Sequence, residues 1–214
     1  MQTKEKVKSH IRYQLADGTY VPGVTTVLGV LAKPQLIIWA NRLGLQGIDS
    51  TKYRDAMADI GTLAHKMIAA HLKSEPCDTS EYSQEHIDKA ETCLIKFWDW
   101  EKQHTLQGIL IETPLVSEVY GYGGMPDWFG QLDNIYTLLD FKSGKAIYSE
   151  FFYQLAGYKQ LVEEQGYPVP EERILRIGRD EDEGFEERMM NSLDKQWQVF
   201  EHCLAIYALL KETK

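Results

Sequence analysis

The sequence predicts a mixed α/β fold: a central mixed β-sheet with an antiparallel meander, flanked by helices and preceded by a mostly helical amino-terminal part. Three observations predict it. As far as about residue 105, apolar residues recur mostly at helical spacing. From Gly108, short β-prone runs alternate with glycine-rich and polar turns. After Lys142 a helical stretch and two further strands follow, and the chain closes on an apolar-striped helix. A single domain over 1–214 accommodates this order, with 1–105 mostly helical, 106–190 the sheet core with one helix, and 191–214 the last helix.

The elements follow in turn. "HIRYQLADGTYVPG" reads as a short hairpin turning at Asp17-Gly18. "VTTVLGVLAKPQLIIWANRLG" reads as two short helices, with Thr25 or Thr26 as the first cap, Pro34 near the second start and Gly44 at its end. Two long helices are predicted over 51–73 and 84–103, the second capped by Ser83. "GILIETPLV", "GGMPDWFGQ" and "IYTLLDFK" are the meander strands. A helix over 149–164 ends before Gly166, "RILRIGR" and "FEERMM" supply strands, and Ser192 caps the last helix.

With 214 residues, 43% hydrophobic and 26% charged, the chain can bury a substantial core. No stretch approaches the roughly 20 apolar residues of a membrane span, and "MQTKEKVKSH" lacks the apolar core of a signal peptide, so the expectation is a soluble cytoplasmic protein without a membrane partner. Cys77, Cys93 and Cys203 are widely spaced and include no C-x-x-C pair, which supports neither a disulfide framework nor an iron-sulfur cluster. A G-x-x-x-x-G-K-[ST] loop is absent, so no nucleotide cofactor is expected. The formal charge of −9 argues against non-specific coating of nucleic acid and leaves room for a local basic groove.

One stretch carries chemistry. If Asp133-Asn134 forms a tight hairpin turn, counting outward sets Asp127 opposite Asp140, and alternation puts Lys142 on the same face. Like charges opposed across a strand pair are destabilising, so something should compensate them. A hard cation such as Mg²⁺ would, being held by one or two carboxylates. The plain alternative is a solvated ion cluster at a strand end.

The same residues resemble a known family. Pro126-Asp127 followed by Asp140-Phe141-Lys142 is similar to the signature of the PD-(D/E)XK nuclease superfamily. "GTLAH", with Gly61 and His65, and "YQLAGY", with Gln154 and Tyr158, narrow the resemblance to the RecB-like exonuclease branch. "VPGVTTVL" followed by "KPQLIIWA" is similar to the amino-terminal segment of stand-alone phage and mitochondrial exonucleases there. The resemblance spans residues 22 to 158 in the family's order. It implies a restriction-endonuclease-like core and a metal-dependent deoxyribonuclease acting on linear, end-accessible DNA. The setting implied is recombination, repair or DNA degradation in a bacterial or phage-infected cell. An oligomer or a recombination-protein partner is compatible with it.

By resemblance, His65, Asp127, Asp140 and the backbone carbonyl of Phe141 would hold Mg²⁺ or Mn²⁺, imidazole tending to favour Mn²⁺. Lys142 would orient or activate the attacking water or stabilise charge on the phosphate. Gln154 and Tyr158, one helical turn apart, would hold Lys142 or the DNA backbone. Glu112 is a candidate further acidic group, favoured over Glu118, which falls in a predicted turn. Thr25 and Thr26 either bind a phosphate at a helix start or simply cap it, and Lys145 is either a phosphate contact or an exposed loop lysine. Two readings compete with the exonuclease: an endonuclease of the same superfamily, and a non-catalytic nucleic-acid-binding module on the same fold.

Overall fold

A computed structural model describes residues 11–213. The start of the predicted hairpin at His10, and the amino-terminal segment read for a leader, lie outside the described residues. The hairpin itself forms: β1 (Tyr13–Gln14) and β2 (Tyr20–Val21) pair antiparallel around Asp17-Gly18, with Gly18 at φ 90°. Helix α1 (Val24–Leu28) is capped at Gly23 without a side-chain hydrogen bond. Thr25 and Thr26 therefore lie inside the helix, not at its cap, because the turn begins two or three residues earlier than expected.

Helix α2 (Pro34–Leu45) starts at its proline, runs through Gly44 and stops before Gly47, which takes φ 73°. Helix α3 (Ser50–Lys73) is capped by Asp49, whose carboxylate accepts from Thr51 and Lys52 backbone N–H groups. Ser83 caps α4 (Gln84–Glu101) through the His86 N–H.

The meander forms, but two of its predicted strands are broken. "GILIETPLV" divides into β3 (Leu106–Ile111) and β4 (Leu115–Ser117), because Glu112 takes φ 44° and Pro114 follows. "GGMPDWFGQ" divides into β5 (Tyr122–Gly124) and β6 (Trp128–Leu132) around Met125-Pro126, the proline having no N–H to donate to a ladder. β4 and β5 then pair with each other, away from the central sheet.

Next come β7 (Ile135–Ser143), α5 (Ser149–Glu164), β8 (Glu171–Ile177), β9 (Phe185–Met190) and α6 (Asp194–Glu212). Ser192 accepts from the Asp194 N–H, although the cap position itself is Leu193. The central sheet has the order β3-β6-β7-β8-β9, and only the β7–β8 pair, joined through α5, is parallel.

Both faces of this sheet are covered. Leu138, Phe129 and Ile174 pack against α1, α5 and α6 through Val27, Leu155 and Phe200. Leu139, Trp128 and Phe141 pack against α3 and α4 through Leu63, Ile68 and Phe97. Period-2 alternation along β7 thus feeds two cores and carries its carboxyl-terminal end, with Asp140 and Lys142, between α3 and α5.

Candidate active site

The site is built at the end of β7. Asp133 and Asn134 take φ 51° and 69°, a turn that sets Trp128 against Leu139. One further step in that register would set Asp127 level with Asp140, but β6 stops at Trp128. The Asp127 side chain departs from the expected position on the sheet face. Its Oδ2 accepts the Phe141 backbone N–H at 2.6 Å, taking the place of a ladder carbonyl, and its Oδ1 lies 3.1 Å from His65 Nδ1.

His65 arrives from α3, which approaches β7 closely at Gly61. A Cβ there would stand 2.7 Å from Ser143 Oγ. His65 also stacks edge-on against Phe141, with ring centroids 6.1 Å apart.

Asp140 is 1% exposed, as deep as any charge among the described residues. Lys142 Nζ sits 2.7 Å from its Oδ2, an ion pair without hydrogen-bond alignment, so both carboxylate oxygens lack a hydrogen-bond partner among the described residues. Lys142 in turn donates to Gln154 Oε1 at 3.0 Å, and Gln154 Nε2 donates to the Tyr158 hydroxyl at 2.8 Å. Phe151 lies under the ammonium at 5.0 Å. Sequence reasoning missed Phe151, although its place three residues before Gln154 puts it on the same side of α5.

Burial pushes the Asp140 carboxyl up to about 6, helped by Asp127 and opposed by Lys142. Burial would raise Asp127 too, but His65, Lys142 and the Phe141 N–H outweigh it and hold that carboxyl below its usual range. For His65 burial favours the neutral ring, and Asp127 reverses the balance and raises its pKa. Tyr158 is raised well above its ordinary value, chiefly by burial, and stays a neutral phenol. Two neighbouring carboxylates thus have opposite tendencies, a pattern found where acid-base or metal chemistry is done.

Glu112 joins this group. Its N–H donates to the Asp127 carbonyl at 3.1 Å, and its carboxyl is raised by burial and by Asp127 while His65 pulls it down. Glu118 instead accepts from the Ala16 N–H and holds the β1–β2 hairpin. Lys145 is exposed, its charge acting on Glu183 beyond β8. Thr25 and Thr26 are exposed on α1, whose Val24, Val27 and Leu28 enter the core.

Among the described residues no group of three His, Cys, Asp or Glu side chains is arranged to hold a metal ion. The candidate donors are turned toward partners instead, Asp127 to His65 and the Phe141 N–H, Asp140 to Lys142. The donor chemistry nevertheless fits a divalent cation, since a buried carboxylate whose Oδ1 has no partner among the described residues, and whose Oδ2 meets only Lys142, lies with an imidazole and a second carboxylate at the end of β7.

No family model and no curated protein matches the sequence. In structure the chain is similar to an exonuclease candidate from Eubacterium rectale (TM-score 0.47, 10% identity), with 69% of this chain and 64% of that one covered. It is also similar to the alkaline exonuclease LHK-Exo from Laribacter hongkongensis (TM-score 0.42, 12% identity, 73% and 85% covered). A phage-related exonuclease from Haemophilus somnus gives a TM-score of 0.41 at 12% identity, with 94% and 98% covered.

Proposed function

We propose that the protein is a divalent-metal-dependent DNA exonuclease that hydrolyses phosphodiester bonds of linear DNA, in recombination, repair or degradation. One observation carries the reading: a buried Asp140, its Oδ2 paired with Lys142 and its Oδ1 without a hydrogen-bond partner among the described residues, near the Asp127–His65 pair. His65, Asp127, Asp140 and the Phe141 carbonyl would hold Mg²⁺ or Mn²⁺, with Glu112 within electrostatic reach. When bound, such an ion supplies Lewis-acid polarisation of the phosphate and lowers the pKa of water.

The chain's own groups do the rest. Asp127, already held ionised, keeps His65 oriented and fixes the end of β7 through the Phe141 N–H. Lys142 offers its ammonium to the charge that develops on the phosphate, and Gln154 aims it. Lys142, a donor only, fixes which way the Gln154 amide faces, so the oxygen meets the lysine and the amide N–H is left to the neutral Tyr158 hydroxyl, which accepts it. Phe151 closes the underside of the ammonium against water.

The test uses end-labelled linear DNA, single- and double-stranded, beside closed circles, with Mg²⁺ or Mn²⁺. Loss of linear substrate alone supports the exonuclease, and nicking of circles makes the protein an endonuclease. Asp140→Asn and Lys142→Ala should each reduce the rate roughly 100-fold or more. Undiminished cleavage in either variant sinks the site assignment.

A further inference from the structure

Beside the site lies a groove of about 1070 Å³, formed between the start of α2 and the start of α5. Trp39, Tyr148 and Tyr153 line it together with Lys33, Arg54 and Glu150. Side-chain contacts link it to the end of β7. Lys142 Nζ lies 5.0 Å from the Phe151 ring, Phe151 meets Tyr148 edge-on at 5.5 Å, and Tyr148 opens into the groove. Tyr148 is 57% exposed, and α2 buries none of its residues although it carries Leu36, Ile37, Ile38 and Trp39.

One exposed ring, Tyr148, and two half-buried ones, Trp39 and Tyr153, gathered with the exposed Leu36 in one groove call for an occupant. Its two cations, Lys33 and Arg54, are held in solvent-exposed pairs, Lys33 with Glu150 and Arg54 with its neighbour Asp55, which a polyanion can displace. Planar rings plus cations suit a polyanion that carries flat apolar faces. A duplex hides its base faces in its own stack and presents only phosphates and groove edges. A single strand presents both phosphates and base faces, and base-on-aromatic stacking tolerates any sequence.

We propose that this groove receives a single-stranded DNA segment, its bases stacked on Trp39 and Tyr148 and its backbone led toward Lys142. The inference rests on the nuclease reading for the identity of the polymer. It adds that the substrate enters the site as an unpaired strand. Lys33 and Arg54 serve the phosphates, while the exposed Lys33–Glu150 pair at 3.0 Å ties α2 to α5 and competes with the strand for Lys33.

The experiment is anisotropy of a fluorescein-labelled oligothymidylate of about ten nucleotides, against a blunt duplex of the same length, in EDTA so that nothing is cut. The single strand should bind at least about ten-fold more tightly. Trp39→Ala and Tyr148→Ala should each weaken it roughly ten-fold. Tyr148→Phe should retain binding, since the ring and not the hydroxyl is used. Glu150→Gln should strengthen it several-fold by releasing Lys33. Ile206→Ala, on exposed α6, should change nothing.

Equal binding of duplex and single strand, or indifference to Trp39→Ala and Tyr148→Ala, overturns the proposal. So does a sedimentation result in which those variants dissociate a dimer without altering DNA affinity, for then the groove is an interface between copies. Binding in EDTA and cleavage with metal are read separately. A chain that binds the strand here but never cuts refutes the nuclease reading and not the groove; cutting without these effects does the reverse.

Discussion

Helices α2 and α3 are neighbours, both amphipathic, yet they meet opposite fates. α3 sinks Ile60, Leu63, Ala64, Met67 and Ile68 beneath the sheet, whereas α2 leaves Ile37 75% exposed and has no buried residue. The difference teaches that an apolar stripe reports a need for a partner and not the identity of that partner. α3 finds its partner in β7 and α4, and through that contact delivers His65 to Asp127. α2 is held only lightly, Trp39 meeting Tyr53 of α3 with ring centroids 6.1 Å apart and Lys33 pairing with Glu150 of α5, and its surface borders the groove.

The contrast can be broken by substitution. Leu63→Ala, at a fully buried position, should destabilise the fold by about 3 kcal/mol, read from urea unfolding. A loss under about 1 kcal/mol would mean that α3 is not the anchored helix of the two.

The floor over α3 should also show its buried charges in a pH series. Asp140 has a folded-state pKa of about 6 against 3.8 for the free group, so the folded state holds that proton longer. Its contribution is complete at low pH and lost as the pH rises from about 4 through about 6. His65, raised above 6.5, has the same sign: its contribution is present below that value and lost above it. Asp127 and Glu183, whose pKa values are lowered, act with the opposite sign but are ionised in both states above about pH 5. In EDTA, stability should therefore fall by on the order of 1 kcal/mol from about pH 5 to pH 8. Added Mn²⁺, which needs the deprotonated donors, should raise Tm more at pH 8 than at pH 5. An equal rise at both values, or stability that grows with pH in EDTA, contradicts the assignment.

A smaller effect belongs to Gly61. Alanine there gains helix propensity of about 1 kcal/mol but sets its Cβ 2.7 Å from Ser143 Oγ. Gly61→Ala should be neutral or destabilising alone and stabilising by up to about 1 kcal/mol in a Ser143→Ala background, a coupling that a double-mutant cycle measures. Ile37→Ala in α2 should change stability by less than about 0.5 kcal/mol, the smallest effect of the set.

What could be read from the sequence was whatever local rules govern. Asp133-Asn134 turned where it should, so the register bringing residue 127 toward residue 140 followed from counting. Gln154 and Tyr158 met at helical spacing, and the helix bounds of α3 and α5 came within a residue. The rest depended on distant partners. Nothing near Glu112 or Pro126 announced that β4 and β5 would leave the central sheet to pair with each other. The turn of the Asp127 carboxylate into the ladder followed from where β6 stops, a fact of the assembled sheet. The exposure of α2 was equally invisible, since its pattern is that of a packed helix.

The parallel pairing of β7 with β8 has a consequence in time. Asp140, Phe141 and Lys142 lie level with Ile174, Leu175 and Arg176, beyond the reach of β6, so their strand neighbour is more than thirty residues downstream. A chain emerging from the ribosome completes the β6–β7 hairpin early and waits for α5 and β8 before the end of β7 is held on that side. Non-local closures of this kind form late and slowly. The end of β7 is therefore assembled near the close of folding, so the Asp140–Lys142 pair takes its place only once the chain is nearly whole.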